Sequence, residues 1–283
     1  MFVEVNGARL FFDVEGAGLV PDGPRMKGKP TLVLLHGGPG FDHTMFKPAF
    51  SALADIAQII HFDQRGNGRS GGSDPATWNL AQWGDDVKGL CDTLGIEKPI
   101  VYGGSFGGFV AQAYATRHPD HPGKLILAST AACVDFRTMF AAFERLGGQC
   151  AREVAEAYWL NPTIEGRAEY LRVCFPLYRR RPAGNTHMRT RTILKHDVAL
   201  HFNGPRNEMG RMDFRAALKT LRCPVLILAG EEDPVMPMPF SETIASSLPP
   251  HLVRLERFPG CGHGVHGDDP ERAFGVMREF IAS

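Results

Sequence analysis

One serine in this chain lies in a sequence context that favours nucleophilic chemistry. Ser105 is the centre of Gly103-Gly104-Ser105-Phe106-Gly107, which fits the G-x-S-x-G pattern of a nucleophile elbow. An apolar run precedes the motif and a helical pattern over 109–117 follows it, so the serine lies at a strand–turn–helix corner. Glycines tolerate the strained backbone of such a corner, which exposes the hydroxyl at the amino end of a helix. The simpler interpretation is a glycine-rich turn whose serine has no chemical role.

A serine hydroxyl needs a base to take its proton, and the base needs an acid to orient it. Asp233 and His263 follow Ser105 in the chain order Ser, Asp, His that is expected around this motif. Each lies in the loop after a predicted strand, the apolar run 224–229 for the aspartate and the final strand 251–258 for the histidine. The sequence therefore predicts a catalytic triad of Ser105, Asp233 and His263.

Neighbouring residues offer alternatives for two of these roles. Glu231 and Glu232 are alternative acids, and His266 is an alternative base. The pair in His263-Gly-Val-His266, with Asp268 nearby, also allows a metal-site interpretation, although its spacing matches no dedicated zinc pattern. We expect neither a metal ion nor an organic cofactor.

The negative charge that develops in acyl transfer needs two N–H donors. One is expected from Phe106, the residue after the nucleophile, and the other from Gly37 or Gly38 in the loop after the first buried strand. We place the oxyanion at Phe106 and Gly38, with Gly37 beside the substrate. In a later turn, Asp63 and Arg65 are expected to pair and brace this loop.

Predicted strands of four to eight residues, most of them apolar, alternate with helical patterns along most of the chain. This predicts an α/β fold, with a mostly parallel β-sheet flanked by helices. Catalytic residues of such sheets lie at the carboxyl ends of the strands. The predicted strands are 31–35, 57–62, 99–102, 124–129, 224–229 and 251–258, the predicted helices are 80–94, 109–117 and 269–281, residues 2–15 form a hairpin, and 16–30 form a loop.

The pattern changes between residues 133 and 221, where short helical patterns replace the strand–helix alternation. We interpret 133–221 as a helical cap inserted into an α/β core made of 1–132 and 222–283. The aromatic residues of the cap fit a packed interior better than a substrate wall, because most apolar side chains serve packing. They are Tyr158, Trp159, Phe175 and Tyr178.

Composition limits the classes of partner. The 283 residues include 31 Lys and Arg and 31 Asp and Glu, so the net charge of zero gives no reason to expect nucleic acid or an anionic membrane surface. Neither a signal peptide nor a membrane span is recognisable. The six cysteines are scattered, which favours free thiols in the cytoplasm. The oligomeric state is not indicated.

Together these motifs resemble those of the α/β-hydrolase superfamily, and within it the proline iminopeptidase (prolyl aminopeptidase) family. The resemblance spans nearly the whole chain: 36–40 is similar to the family's oxyanion loop, 63–70 to the following turn, and 103–108 to its elbow. It implies a small-molecule or short-peptide substrate, from which an N-terminal residue, typically proline, is cleaved by acyl transfer through Ser105.

The resemblance also implies carboxylates that hold the free amine of the substrate. The segment 203–208 resembles the family segment that ends in such a residue, here Glu208. A second carboxylate follows the catalytic aspartate in some members, but this chain has Pro234 there, so Glu231 or Glu144 would have to substitute. The plain alternative for Glu208 is a solvated cap carboxylate.

Two other functions fit the same residues. A carboxylesterase, lactonase or amino-acid amidase would act on neutral acyl substrates; Pro234 favours this function, whereas Glu208 argues against it. A non-catalytic ligand-binding receptor is the third possibility, which an intact triad disfavours. Dehalogenase or epoxide-hydrolase chemistry would require a carboxylate in place of Ser105.

Overall fold

The computed structural model of the chain describes residues 1–71, 73–181 and 188–283. Eight strands form one sheet in the order β1-β2-β6-β5-β7-β8-β9-β10, parallel from β6 to β10 and antiparallel at the β1–β2–β6 edge. The strands of this sheet are β1 (Phe2–Val5), β2 (Ala8–Glu15), β5 (Thr31–Leu35), β6 (Gln58–Phe62), β7 (Ile100–Gly104), β8 (Lys124–Ala128), β9 (Val225–Gly230) and β10 (Val253–Phe258). A separate hairpin pairs β3 (Leu19–Asp22) with β4 (Arg25–Gly28).

The central strands are apolar throughout because both faces of the sheet are covered. In β5, Val33 and Leu35 belong to the hydrophobic core on one face, and Leu32 and Leu34 belong to the core on the other. All four side chains are fully buried. This two-sided burial explains why the strands appear in the sequence as continuous apolar runs rather than as an alternating pattern.

Helices and short 3₁₀ turns fill the connections between the strands. The α-helices are α1 (Leu80–Thr93), α2 (Phe106–Arg117), α3 (Phe136–Leu160), α4 (Ile164–Val173), α5 (Met188–Arg191), α6 (His196–Phe202), α7 (Glu208–Arg211), α8 (Arg215–Leu218), α9 (Met238–Ser247), α10 (Val265–Asp268) and α11 (Pro270–Ala282). The 3₁₀ turns are His43–Phe46, Ala49–Leu53, Pro75–Thr77 and Phe175–Tyr178. Helix α3 is interrupted at Gly148, where φ is 75°.

The predicted α/β fold is confirmed, with two local corrections. The expected loop 16–30 contains the β3–β4 hairpin, whose strand β4 is fully exposed and lacks the apolar alternation that identifies a strand. Helix α2 begins at Phe106 rather than at 109. A Cβ atom on Gly107 would lie 2.0 Å from the Leu35 carbonyl oxygen, so this glycine permits close packing of helix on strand rather than delaying the helix.

Between β8 and β9, the described residues form helices α3 to α8 and no strand. The division into a cap of 133–221 and a core of 1–132 and 222–283 stays a prediction. Within the described ranges, the helices are all too short or too polar to cross a membrane.

Candidate active site

The predicted nucleophile occupies the sharp turn between β7 and α2. Ser105 has φ 54° and ψ −120°, a conformation that costs a non-glycine residue of order 1–3 kcal/mol and persists only when its surroundings enforce it. Its N–H donates to the Ala128 carbonyl (2.9 Å), and its carbonyl accepts from Gly108 N–H (2.9 Å) and the Thr130 hydroxyl (2.8 Å). A Cβ atom on Gly103 would lie 2.4 Å from a backbone oxygen of α2, which explains why the first position of the motif is glycine.

The predicted base and acid are hydrogen-bonded to each other. His263 Nδ1 lies 2.8 Å from Oδ2 of Asp233, whose side chain is fully buried. The other carboxylate oxygen accepts from the N–H groups of Val235 (2.8 Å) and Met236 (2.9 Å). The His263 backbone N–H donates to the Tyr178 carbonyl (2.8 Å), so the loop is held as well. Because Nδ1 is engaged, Nε2 is the nitrogen of His263 that is free to exchange a proton.

The alternative acids and base are engaged elsewhere. Glu231 is exposed, and Glu232 forms an ion pair with Arg180 (2.5 Å). His266 packs edge-to-face on Phe50, with ring centroids 5.2 Å apart, and burial lowers its pKa to about 4. A base with so low a pKa takes up a proton poorly near neutrality. The geometry therefore favours Asp233 and His263 over these alternatives.

Asp268 has a structural role in the loop that carries the histidine. Its buried carboxylate accepts from the backbone N–H groups of Gly262 (2.8 Å), Arg180 (3.2 Å) and Arg181 (3.2 Å). These bonds tie the loop before His263 to the segment after the 3₁₀ turn 175–178. The carboxylate is thus occupied by amide donors, as a loop anchor rather than as a metal ligand.

The residues predicted to donate to the oxyanion lie close to the predicted nucleophile. Gly37, Gly38 and Ser105 line the same cavity, and Gly38 has φ 123°, a conformation that favours glycine. Phe106 is the first residue of α2, where N–H groups have no partner within the helix. Gly37 N–H donates to the Met45 sulfur (3.2 Å). Since that donor is already engaged, Gly38 is the better candidate of the two glycines.

A buried histidine at the start of the oxyanion loop holds that loop in place. His36 Nδ1 lies 2.9 Å from the Gly37 carbonyl oxygen, and its Nε2 accepts from Gln64 N–H (3.1 Å). Burial lowers the pKa of His36, which matches a neutral ring with one donor and one acceptor nitrogen. The Gln64 amide donates back to the His36 carbonyl (2.9 Å), and Gly40 N–H donates to the Asn67 side chain (2.7 Å).

The expected pairing of Asp63 with Arg65 is wrong, although the turn that contains them does brace the loop. Asp63 instead binds His43, through Nδ1 (2.6 Å) and the backbone N–H (2.9 Å). Arg65 forms a bidentate ion pair with the buried Asp86 of α1, with both distances 2.7 Å. The two partners come from distant parts of the chain, so adjacency in sequence misled the prediction.

Ser105 and His263 open into a cavity with a largely aromatic wall. The sequence favoured packing over substrate contact for the aromatic residues of the helical segment, yet these side chains line the cavity, and Tyr158 and Trp159 are nearly fully buried as well. The aromatic lining consists of Phe41, Phe109, Tyr158, Trp159, Tyr170, Phe175 and Tyr178.

The same wall contains a charged residue that the sequence analysis missed. Arg167 of α4 lines the cavity and is only 3 % exposed. Its spacing gives the signal: Arg167, Tyr170, Leu171 and Cys174 follow the i, i+3, i+4, i+7 pattern of a buried helix face. An arginine at the first position of this pattern predicts a guanidinium that is buried together with the apolar side chains.

Glu208 does not line this cavity, so the prediction that it binds substrate is corrected. Both of its carboxylate oxygens accept from Leu80 N–H (3.0 Å each) at the start of α1, and it lines a separate surface depression. Burial raises its pKa. The proposed substitutes fail too, because Glu144 pairs with Arg152 on the surface (2.6 Å) and Glu231 is exposed. The family segment is therefore present, but its carboxylate stabilises a helix terminus here.

A strained serine at a β–α corner, with a histidine–aspartate pair at the same cavity, is the arrangement of the α/β hydrolases. The family model for the alpha/beta hydrolase fold matches residues 30–270. The chain therefore belongs to the α/β-hydrolase-fold family and is a hydrolase of that fold.

Two relatives align along most of their length. Proline iminopeptidase PfmaB of Pestalotiopsis fici is 28% identical over 275 residues, which is 94% of this chain and 93% of the relative. A provisionally named carbamate hydrolase, RutD of a Caulobacter species, is 29% identical over 267 residues, 88% of this chain and 90% of the relative. The resemblance to proline iminopeptidases is thus confirmed, alongside a similarity to hydrolases with another name.

Solved structures that resemble this chain include the same variety of hydrolase types. A thermophilic esterase from Thermogutta terrifontis, with malate bound, has a TM-score of 0.69 at 27% identity and covers 100% of this chain and 98% of its own. A proline iminopeptidase from Mycobacterium smegmatis has a TM-score of 0.75 at 24% identity, covering 100% and 97%, a similarity that concerns the fold alone. Similarity therefore leaves the substrate open between several hydrolase types.

Proposed function

We propose that the protein is a serine hydrolase of small acyl substrates, with Ser105 as nucleophile, His263 as general base and Asp233 as the acid that orients it. The observation that carries the proposal is the 2.8 Å bond between Asp233 and His263 beside the cavity that Ser105 also lines. The backbone N–H groups of Gly38 and Phe106 would bind the oxyanion.

In the proposed mechanism, His263 Nε2 accepts the proton of the Ser105 hydroxyl while the serine oxygen attacks the substrate carbonyl. The N–H groups of Gly38 and Phe106 stabilise the negative charge on the carbonyl oxygen. His263 then donates its proton to the leaving group, and an acyl ester remains on Ser105. A water molecule, deprotonated by the same histidine, releases the acid and restores the hydroxyl.

We further propose that the substrates are esters, lactones or amides without a free amine. A cationic amine in an apolar site requires a negative partner. Among the described residues that line the cavity there is no Asp or Glu side chain, and the carboxylates expected to hold an amine lie elsewhere. The solved esterase and the relative named as a carbamate hydrolase are consistent with such substrates.

The second candidate is an aminopeptidase of the proline iminopeptidase type. It is favoured by the 28% identity to PfmaB over 94% of this chain and by the motifs around the elbow. For either function the substrate is a small molecule or short peptide. The six cysteines, all within the described residues, are free thiols, which supports our proposal that the protein acts in the cytoplasm.

A side-by-side rate measurement separates the two candidates. Hydrolysis of para-nitrophenyl acetate and of proline para-nitroanilide is measured with the wild-type protein and with Ser105→Ala as the blank. Ester turnover that depends on Ser105, without arylamide turnover, supports the neutral-acyl hydrolase. Efficient arylamide turnover would establish the aminopeptidase, and turnover that survives in Ser105→Ala would refute the proposed mechanism.

A further inference from the structure

The wall of the cavity contains an unusual cation. Among the described residues that line the cavity, Arg167 is the only permanently charged side chain. It lies on α4 and contacts the oxyanion loop: Nη2 is 3.5 Å from the Pro39 carbonyl oxygen. A buried arginine so close to the oxyanion loop lies within the substrate region rather than in a distant core.

The guanidinium lies 5.7 Å from the centroid of the Phe41 ring, but its hydrogen-bond donors are poorly paired within the protein. It has five N–H donors, but its two hydrogen bonds to described residues are long, 3.5 Å to Pro39 and 3.4 Å to the Lys195 carbonyl oxygen. None of the described Asp and Glu side chains forms an ion pair with it within 4 Å; Asp197 acts on it only through space. The undescribed residues 72 and 182–187 include no Asp or Glu.

A second donor on the same wall is only weakly engaged. Trp159 lines the cavity with 5 % of its surface exposed, and its buried Nε1–H forms no hydrogen bond of normal geometry with the described residues, although the Tyr170 hydroxyl interacts with it. Burying an uncompensated charge or donor is costly, so such groups are normally paired with a protein group, water or ligand. A buried cation without a carboxylate partner and a weakly engaged donor, on a cavity wall whose described residues include no acidic side chain, are complementary to an anion.

We propose that Arg167 binds a carboxylate carried by the substrate, with Trp159 as a further donor on the same wall. The preferred substrates are then half-esters or other acyl compounds that contain a free carboxylate as well as the bond to be cleaved. A planar guanidinium matches the two oxygens of a carboxylate, and the aromatic wall accommodates the apolar carbons between the two groups. This inference rests on the proposed function, since it specifies the substrate class of the same site.

A purely structural role is the competing explanation. Arg167 links α4 to Pro39 in the oxyanion loop and to Lys195 at the start of α6, so its loss could shift the loop. A displaced loop would lower the rates of charged and neutral substrates by the same factor. A carboxylate receptor changes their ratio, which makes the ratio the decisive readout.

The kinetic test uses matched substrates that differ only in charge. Monomethyl glutarate and methyl glutaramate place a carboxylate or an amide in the acyl part; acetoxyacetate and acetoxyacetamide place it in the alcohol part. The wild type is expected to favour the acid of at least one pair about 10- to 100-fold in kcat/KM, the contribution of a charge-assisted hydrogen bond. Arg167→Gln is expected to abolish this ratio, and Arg167→Lys to retain part of it.

The control is Arg172→Gln, which removes an exposed arginine from the same helix. Arg172 pairs with Glu169 on the surface (2.5 Å) and does not line the cavity, so the acid-to-amide ratio should equal that of the wild type. The inference is overturned if the wild type hydrolyses acid and amide equally in both pairs, or if Arg167→Gln lowers both rates while the ratio persists.

Binding to Ser105→Ala provides a test that does not depend on turnover. Titration calorimetry with the same four compounds should show tighter binding of an acid than of its amide, and this difference should vanish in Ser105→Ala/Arg167→Gln. Equal binding of acids and amides overturns the inference even if esters are hydrolysed. Conversely, acid-selective binding without Ser105-dependent hydrolysis of any substrate would refute the proposed function and leave the anion site standing.

Discussion

The two walls of the cavity differ in how their buried polar groups are paired. On the sheet side, the Asp233 carboxylate accepts three hydrogen bonds and both ring nitrogens of His36 have partners. On the helical side, Arg167 forms only two long hydrogen bonds to described residues, and the Trp159 Nε1–H forms none of normal geometry with them. The comparison suggests that the reacting groups are preorganised by the fold, whereas the groups that recognise the substrate are completed only by the ligand.

Removing the nucleophile gives the largest expected effect. Ser105→Ala should lower kcat by about 10⁴-fold or more, because the attacking oxygen is lost while oxyanion binding remains. Steady-state ester hydrolysis measures the effect, with thermal unfolding as the control for folding. A decrease in kcat of less than tenfold would contradict the comparison of the two walls, since Ser105 on the sheet side would then not be the reacting group.

Neutralising the orienting acid should cost almost as much. Asp233→Asn is expected to reduce kcat by about 10³- to 10⁴-fold, because the amide stabilises the wrong tautomer of His263 and not its charged form. Glu232→Gln is the matched control, since that carboxylate pairs with Arg180, and its kcat should stay close to that of the wild type. A larger loss in Glu232→Gln than in Asp233→Asn would reverse the assignment.

A partly paired histidine of the sheet, which does not line the cavity, should affect stability instead. His61 of β6 is fully buried, its Nε2 lies 3.3 Å from Glu15 Oε2, its Nδ1 has no partner among the described residues, and burial lowers its pKa to about 4. Between about pH 6.5 and 4 the unfolded chain binds a proton that the folded chain does not. The free energy of unfolding should therefore decrease as the pH is lowered through this range, by up to about 3 kcal/mol for this residue.

Urea denaturation at about pH 7 and about pH 4.5 measures this loss of stability. In His61→Phe the decrease between the two pH values should be smaller than in the wild type. His251→Gln, which alters an exposed histidine, should behave as the wild type does. An identical pH dependence in all three proteins would contradict the predicted role of His61.

The smallest effect concerns the carboxylate outside the cavity. Glu208→Gln should lower the free energy of unfolding by about 1 kcal/mol, because the amide binds the Leu80 N–H at the start of α1 less strongly. The ratio of ester to proline arylamide hydrolysis should not change. A shift in that ratio would place Glu208 in substrate recognition and weaken the contrast between the two walls.

The same contrast explains how far the sequence could predict the molecule. The elbow around Ser105 and the strands before Asp233 and His263 are local patterns, in which glycine spacing and apolar runs determine the backbone. The positions of Glu208 and Arg167 depend instead on packing between distant segments: one carboxylate meets the start of α1, and one arginine points into a cavity. A motif can therefore identify a family segment while tertiary contacts give its polar residue another role.

Covalent labelling of the nucleophile tests the central claim most directly. The wild-type protein is treated with an alkyl fluorophosphonate and digested, and the modified peptide is sequenced by mass spectrometry, with Ser105→Ala and His263→Ala treated in parallel. We predict one phosphonylated site, at Ser105, with no label in Ser105→Ala and much slower labelling in His263→Ala. Labelling of another residue, or an unmodified wild-type protein that still hydrolyses esters, would contradict the claim that Ser105 is the activated nucleophile.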